Sequence, residues 1–357
     1  MRVAIDGQGV IGALTGASRG VLGVLARLRR DHPRDEYLVL SPRDRSRWRL
    51  PHQVAWDQAV FPWRARRAGA DLLVSPGMSG PLLRPRPLVL TVHDLAPTRH
   101  PEWLPTHRSR WYWGRFIPFT ARHADVVIAP SESTRRDLVE LARVAAERVR
   151  VIPWGAPLPV REVPPAEVAA ARRRHALDVP YALYVGTVDR RKDLPALVRA
   201  LALLPEPLAL ALAGPLIAGR TRVPDLVGEL GLGSRVRFLG YVPDADLPGL
   251  YAGAAVFVYP SHYEGFGFPP LEAMACGTPV VSYNVTSLPE VIGDAGLLLD
   301  PPVAPPDLAK AIARVVEDQA LRAELVARGR ARVARFDWGA AARLTHEVYE
   351  RVAGGGR

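Results

Sequence analysis

The apolar positions of this chain fall into short continuous runs separated by stretches with helical spacing. The first series, at 3–6, 37–41, 71–75, 88–93, 124–129 and 149–152, does not alternate with polar residues. Unbroken runs of this length predict strands covered on both faces. Between them, Arg19–Arg30, Thr106–Arg122 and Ser131–Arg143 carry helical periodicity, and Ser131 and Ser133 offer hydroxyls for an N-cap. A second series follows at 181–186, 208–213, 236–239, 255–259, 279–282 and 297–299. Pro153–Pro165, with five prolines, separates the two and predicts a linker. Strand–helix alternation on both sides predicts an α/β protein with two doubly wound parallel sheets.

A chain of 357 residues that is 48% apolar can bury two cores. None of its apolar runs approaches the roughly 20 residues needed to span a membrane. The start, Met1 to Asp6, reads as a strand rather than a signal peptide. The single cysteine, Cys276, excludes a disulfide framework, fits a cytoplasmic protein and reads as a small packed residue. Charge changes the picture of the two halves. Residues 1–160 hold 25 Lys and Arg against 14 Asp and Glu, whereas 161–357 hold 22 of each. A basic first half predicts an anionic partner there. The segments 56–67 and 108–116 interleave basic and aromatic residues, either as a face for an anionic membrane or as core-facing helices with arginine on the wet side. Arg64, Arg66 and Arg67 are the membrane candidates. A nucleic-acid partner is not expected, since neither an aromatic platform nor a basic recognition helix is visible.

The densest chemistry lies at Glu264-Gly265-Phe266-Gly267-Phe268-Pro269-Pro270-Leu271-Glu272. Two carboxylates straddle a glycine-aromatic turn that follows the run 255–259 and leads into a helix ending near Cys276-Gly277. The turn therefore stands at the carboxyl end of a parallel strand, where open α/β sheets place ligands. Gly265 and Gly267 let backbone approach a ligand closely, and the helix start offers N–H groups to an anion. Glu264 and Glu272 accept hydrogen bonds from two sets of hydroxyls. A polyol joined to a phosphate, that is a nucleotide sugar, fits this set.

This arrangement resembles the E-x7-E signature of retaining glycosyltransferases of family 4. Residues 260–301 are similar to the family's strongest block, and Tyr184 to Leu194 to its phosphate-binding block. Weaker likenesses at 91–95, 129–133 and 151–155 keep the family's order. The resemblance implies the GT-B fold, with two Rossmann-like domains facing a cleft. Residues 1–160 would bind the acceptor, 161–336 the nucleotide sugar, and 337–357 would form a helix returning to the first domain. It also implies retaining transfer of a hexose to an acceptor hydroxyl in polysaccharide, glycan or glycolipid synthesis, mannose being the first choice. A GDP-sugar is preferred over a UDP-sugar, no further cofactor or metal is required, and the acceptor is a carbohydrate or a lipid-linked molecule. His93, Lys192 and Glu264 match catalytic positions. Gly16, Gly186, Thr187, Arg191, Lys192, Glu264, Gly265, Phe266, Gly267, Pro269, Leu271 and Glu272 match donor-binding ones. Thr187 stands where many members have arginine, which moves the second cationic contact to Arg191 or replaces it with a hydroxyl. Thr15–Gly20 departs from the family's T-G-I-G-R-Y at its second glycine and its aromatic.

Other motifs compete with this reading. Gly7-Gln8-Gly9-Val10-Ile11-Gly12 spells a dinucleotide fingerprint and suggests an NAD-dependent oxidoreductase. Gly16 and Gly20, however, read as prolonging a loop, and Leu40-Ser41-Pro42-Arg43 lacks the acid that would hold a ribose. Asp244-Ala245-Asp246 imitates a metal motif but precedes helical spacing, so it reads as a helix start. Asp94 is placed to orient the His93 ring, and Glu290 lies near the donor in the family block. A non-catalytic nucleotide-sugar-binding partner would require loss of Glu264 or Lys192, and both are present.

Overall fold

Six parallel strands form the sheet in each of two units of the chain. The computed structural model describes residues 1–9, 16–42, 50–216 and 221–355. Unit 1 comprises Met1–Gly155 with Phe336–Arg357, and unit 2 comprises Ala156–Arg335. The change of unit falls five residues before the boundary expected at 160. Gly155 explains why: a Cβ there would lie 2.4 Å from the Trp338 indole, so the chain is still packed in unit 1 at that point.

Unit 1 contains β1 (Arg2–Asp6), β2 (Glu36–Leu40), β3 (Leu72–Ser75), β4 (Leu88–Thr91), β5 (Val126–Ala129) and β6 (Val149–Val151), ordered β2-β1-β3-β4-β5-β6. Both neighbours of the central strands run parallel, and β3 and β4 are buried at every position, as their unbroken apolar sequence requires. Helix Gly16–Asp31 follows β1 and packs against the closing helix Trp338–Gly354. Gly16 therefore opens a helix and Gly20 lies inside it, correcting their expected place in a loop. A Cβ on Gly20 would meet the Trp154 indole at 2.9 Å, so glycine is kept for close packing rather than for a turn. Residues 10–15, which include the second half of the apparent dinucleotide fingerprint, lie outside the described residues.

Two helical stretches of unit 1 are interrupted by a wide turn. The Phe61 N–H reaches the Trp56 carbonyl, and the Ile117 N–H reaches that of Tyr112. Each wide turn ends one residue before a proline, Pro62 or Pro118, which has no N–H to continue the ordinary ladder. Thr106 caps the second stretch, accepting the Ser109 N–H at 3.1 Å, and Ser131 caps helix Glu132–Glu140 through the Thr134 N–H.

Unit 2 contains β7 (Tyr181–Val185), β8 (Ala209–Ala213), β9 (Val236–Gly240), β10 (Val256–Tyr259), β11 (Val280–Tyr283) and β12 (Gly296–Leu299). Their order is β12-β11-β10-β7-β8-β9. The chain winds outward in one direction from β7 and in the other from β10, so these two adjacent strands form the switch point. Open sheets bind ligands in the crevice outside the carboxyl ends at such a point. Among the described residues no helix is long and apolar enough to cross a membrane.

Candidate active site

β7 delivers the first half of the site. Beyond Gly186 and Thr187, whose carbonyl accepts the Tyr184 hydroxyl at 2.9 Å, comes the tight turn Arg190–Lys192. Asp189 caps that turn through the Arg191 N–H at 3.0 Å. Asp193 takes a left-handed conformation at φ 41° and accepts the Tyr283 hydroxyl at 3.0 Å, fixing the start of helix Leu194–Ala202. The outcome is a lysine turned into the protein: Lys192 is only 4% exposed.

β10 delivers the second half. Tyr259 ends the strand, and its hydroxyl accepts from Lys192 Nζ at 2.6 Å. Glu264 Oε1 pairs with the same Nζ and accepts the Ser261 hydroxyl at 2.5 Å, while Arg191 Nη1 stands 3.9 Å from Oε2. Burial would raise the Glu264 pKa, but Lys192 and then Arg191 outweigh it and hold the carboxyl down at about 2. Burial also pulls the Lys192 ammonium below its usual value, with Glu264 opposing. Two cations facing one carboxylate in a desolvated place can take up an anion's charge far more effectively than in water.

The loop between the carboxylates is pinned from outside. The Glu264 N–H donates to Thr286 Oγ1 at 2.9 Å, and the Ser287 hydroxyl donates to the carbonyls of Glu264 and Phe266 at 2.9 and 2.6 Å. Gly265 and Phe266 are buried, and Gly267 sits at φ 125°, a conformation side chains rarely adopt. Helix Phe268–Ala275 follows, with Glu272 at 3% exposure accepting the Tyr251 hydroxyl at 2.7 Å. The structure thus brings Arg191, Lys192 and Glu264 together and holds Glu272 about one turn into the helix that follows.

Leu271 is fully enclosed, so its side chain is part of the core. Two expectations need correction. Pro269 and Pro270 occupy the first turn of their helix and have no N–H, so this end offers an anion fewer donors than expected. Asp94 does not hold the His93 ring: its Oδ1 accepts the Ala96 N–H at 3.0 Å, and His93 Nε2 bonds the Pro76 carbonyl at 2.8 Å. Since a carbonyl only accepts, Nε2 carries the proton and Nδ1 is the lone-pair nitrogen. Nδ1 is sealed from solvent without a hydrogen-bond partner, and burial lowers the ring's pKa, so His93 is a neutral acceptor. It belongs to unit 1, at the end of β4, and Gly16 is exposed in the same unit.

Sequence reasoning missed Tyr259, Ser261 and Tyr251, which orient Lys192, Glu264 and Glu272. Their signal was position: Tyr259 closes a strand, and Ser261 stands three residues before Glu264. It also missed a polar cluster in unit 1. Asp6 Oδ1 accepts the Trp56 indole N–H at 2.8 Å, and Asp57 Oδ1 accepts from Gln8 Nε2 at 3.0 Å. Ser79 donates to Asp57 and lies 2.9 Å from the Tyr112 hydroxyl. Burial, then the neighbouring Asp6, pushes the Asp57 pKa well up. Cys276 is buried and its thiol is pushed up to about 12, as suits a packed residue. Asp246 pairs with Arg174 and His175 at the start of helix Leu247–Gly253.

Solved structures of the same architecture match along nearly the whole chain. HepE of Anabaena, in complex with UDP and glucose, is 22% identical, with 98% of this chain and 100% of that chain covered and a TM-score of 0.79. A sucrose-phosphate synthase of Thermosynechococcus elongatus is 25% identical, covers 99% of each chain and gives a TM-score of 0.78. The fold is therefore that of the GT-B proteins. Residues 19–158 match the model described as Glycosyltransferase Family 4, and residues 167–332 that described as Glycosyl transferases group 1. The chain belongs to the family 4 glycosyltransferases. The O-antigen chain mannosyltransferase B of Escherichia coli is 38% identical over 257 residues, 70% of this chain and 66% of that protein. The serotype-specific mannosyltransferase WbdA of Escherichia coli is 31% identical over 277 residues, 74% of this chain and 33% of that protein. The chain thus spans just under two thirds of the first relative's length and about one third of the second's.

Proposed function

We propose that this protein is a retaining hexosyltransferase that moves mannose from GDP-mannose to a hydroxyl of a growing surface polysaccharide. The observation that carries the proposal is the Arg191–Lys192–Glu264 cluster at the β7–β10 switch point, in a chain similar to mannosyltransferases. When the bond between C1 and the diphosphate oxygen breaks, charge gathers on the leaving group. Arg191 and Lys192, already fixed, stabilise it more in the transition state than in the ground state. Glu264 and Glu272 accept from hydroxyls of the sugar and the ribose, and His93 stands beside the donor sugar. The acceptor oxygen attacks C1 on the face the diphosphate leaves, and a phosphate oxygen takes its proton. No metal enters this scheme, so transfer continues in EDTA.

Unit 1 binds the acceptor in this reading. An open groove of about 630 Å³ there is lined by Leu50, Pro51, Val54, His107, Arg108 and Trp111, a mixture suited to a lipid-linked acceptor at an anionic membrane. HepE's complexes with UDP and with UDP-glucose favour a UDP-sugar as the second reading. Incubation with GDP-mannose, UDP-glucose or NAD and a panel of mannose-terminated acceptors separates the readings. An α-linked mannosyl product from GDP-mannose, identified by its anomeric NMR coupling, is the expected result. A β-linked product would overturn retention, transfer only from UDP-glucose would overturn the donor, and failure to bind any nucleotide would overturn the function.

A further inference from the structure

Unit 1 contains a second group of chemically able side chains, which none of the roles assigned above uses. His32 follows helix Gly16–Asp31, Asp35 lies in the turn before β2, and His346 sits on the closing helix. His346 lies more than 300 positions from His32 and Asp35, so no motif spacing could reveal the group. Among the described residues, they form a group in which one ligand atom from each lies within 4.8 Å of the others.

We propose that His32, Asp35 and His346 form a site for a divalent transition metal, Zn2+ by preference, which ties the closing helix to the turn between helix Gly16–Asp31 and β2. The His32 and His346 rings are stacked, with centroids 3.4 Å apart and planes only 10° from parallel. In a tetrahedral zinc centre, bonds of about 2.0–2.1 Å to imidazole put two nitrogens about 3.3 Å apart. The ligand atoms are thus near that separation, and one ring must turn out of the stack so that both lone pairs point at the same ion. His346 Nε2 lies 2.7 Å from Asp35 Oδ2, a contact in which a proton occupies the place a metal would take. Binding exchanges that proton for the ion.

The surroundings hold the carboxylate as an outer shell should. Asp35 Oδ1 accepts from the Met1 nitrogen at 2.7 Å, and the Tyr37 hydroxyl stands 3.4 Å from Oδ2. Among the described residues the His32 ring makes its stack with His346 and no hydrogen bond, so its nitrogens are available. Glu350 Oε2, one turn along the same helix, stands 3.6 Å from His346 Nδ1, the nitrogen turned away from Asp35, so it orients the ring and water completes the four ligands. Two imidazoles and a carboxylate suit zinc, copper, nickel or cobalt, and not magnesium or calcium.

The test uses the full chain with no tag at either end, stripped of metal by chelator dialysis. Zn2+ is titrated in competition with a chromophoric chelator, and Co2+ is added separately to read ligand-field bands. One equivalent of Zn2+ per chain, tetrahedral cobalt bands between about 500 and 650 nm, and a rise in Tm on zinc binding are expected. His32→Asn, at a half-exposed position, should weaken binding at least tenfold while leaving transferase turnover unchanged. Asp35→Asn, close in shape, should do the same, and it replaces His32→Asn if that variant fails to fold. Absence of saturable zinc binding to the wild type, or affinity unchanged in both variants, would overturn the proposal and leave the stack as an ordinary packing contact.

Discussion

The two units bury polar groups at the carboxyl ends of similar parallel sheets, and they do so with opposite electrostatics. Unit 2 gathers Arg191 and Lys192 around Glu264, so charge is desolvated but compensated. Unit 1 gathers Asp6 and Asp57 among an indole, an amide and two hydroxyls, where burial and then Asp6 push the Asp57 pKa well up. The first arrangement is prepared for an incoming anion, because its cations are in place before the ligand arrives. The second is nearly neutral inside, although its unit carries the whole +11 excess, with 28 basic and 17 acidic side chains against 19 of each in unit 2. Interior and surface thus divide the work differently in the two units: unit 2 spends charge in its site, whereas unit 1 shows it outside.

Lys192→Ala breaks this contrast most directly. It should lower kcat/KM by on the order of 10²-fold or more, the scale for losing one preorganised donor. It also leaves the buried Glu264 with the Ser261 hydroxyl and a more distant cation, Arg191 at 3.9 Å, so Tm should fall as well. Assays below the variant's own melting temperature separate the two effects. A loss under threefold in folded protein would make the lysine a structural partner of Glu264 alone.

Glu272→Gln acts on the same unit with a smaller effect. A carboxylate accepting from ribose hydroxyls makes charge-assisted bonds that an amide replaces poorly, and the expected loss in GDP affinity is about 1.5–3 kcal/mol. The Tyr251 hydroxyl, which now donates to Oε2, can still donate to an amide oxygen, so the fold should persist. Calorimetry showing an unchanged Kd would remove Glu272 from the nucleotide.

The contrast also explains what was legible in the sequence. The strands of unit 2 fall within about one residue of their expected bounds, because buried parallel strands are unbroken apolar runs such as Ala209–Ala213. Glu264, Lys192 and Arg191 were legible because strand-end turns that carry charge have few other uses. Gly20 was misplaced because its reason is Trp154, which lies far along the chain. Asp6 and Asp57 were illegible for the same reason. Single acids about 50 positions apart carry no spacing, and the wide turn that directs Asp57 inward shows only as a proline nearby.

Acid and alkali should therefore load the units differently. Glu264 has a folded pKa of about 2 against the usual 4.5, so its contribution is present above pH 4.5 and is lost as pH falls toward 2. Asp57 is raised, so its contribution is full below its usual 3.8 and is lost as pH rises through the folded value. Asn mimics the protonated carboxyl, so Asp57→Asn should gain stability relative to wild type as pH rises, by at most about 1.4 kcal/mol per pH unit. Melting curves between pH 4 and 9 check this. A difference that is flat or shrinks with pH would mean that Asp57 is ionised in the fold.

The smallest effect concerns the surface of unit 1. The three arginines that sequence put forward for a membrane face are not equivalent. Arg64 Nη1 donates to the Ser41 carbonyl at 2.9 Å and its guanidinium lies 5.7 Å from the Trp56 ring, so it supports the fold. Arg67 instead lies over Trp63, 5.1 Å from its ring, and that indole is 56% exposed. An exposed arginine on an exposed tryptophan is the pair expected at a headgroup boundary, where the ring is half-immersed and the cation meets phosphate. Arg67→Gln should weaken binding to anionic vesicles about fivefold, the usual scale for one basic residue near such a surface. The difference should fade in high salt, as the Debye length shrinks from about 10 Å at 0.1 M to about 3 Å at 1 M. GDP affinity should stay unchanged, because the cluster proposed to meet the nucleotide belongs to the other unit. Vesicle sedimentation at low salt decides it. Equal binding by both proteins would place the +11 excess elsewhere than a membrane, and equal loss for Arg67→Gln and Arg199→Gln, a unit 2 control, would show that bulk charge rather than this face is being read.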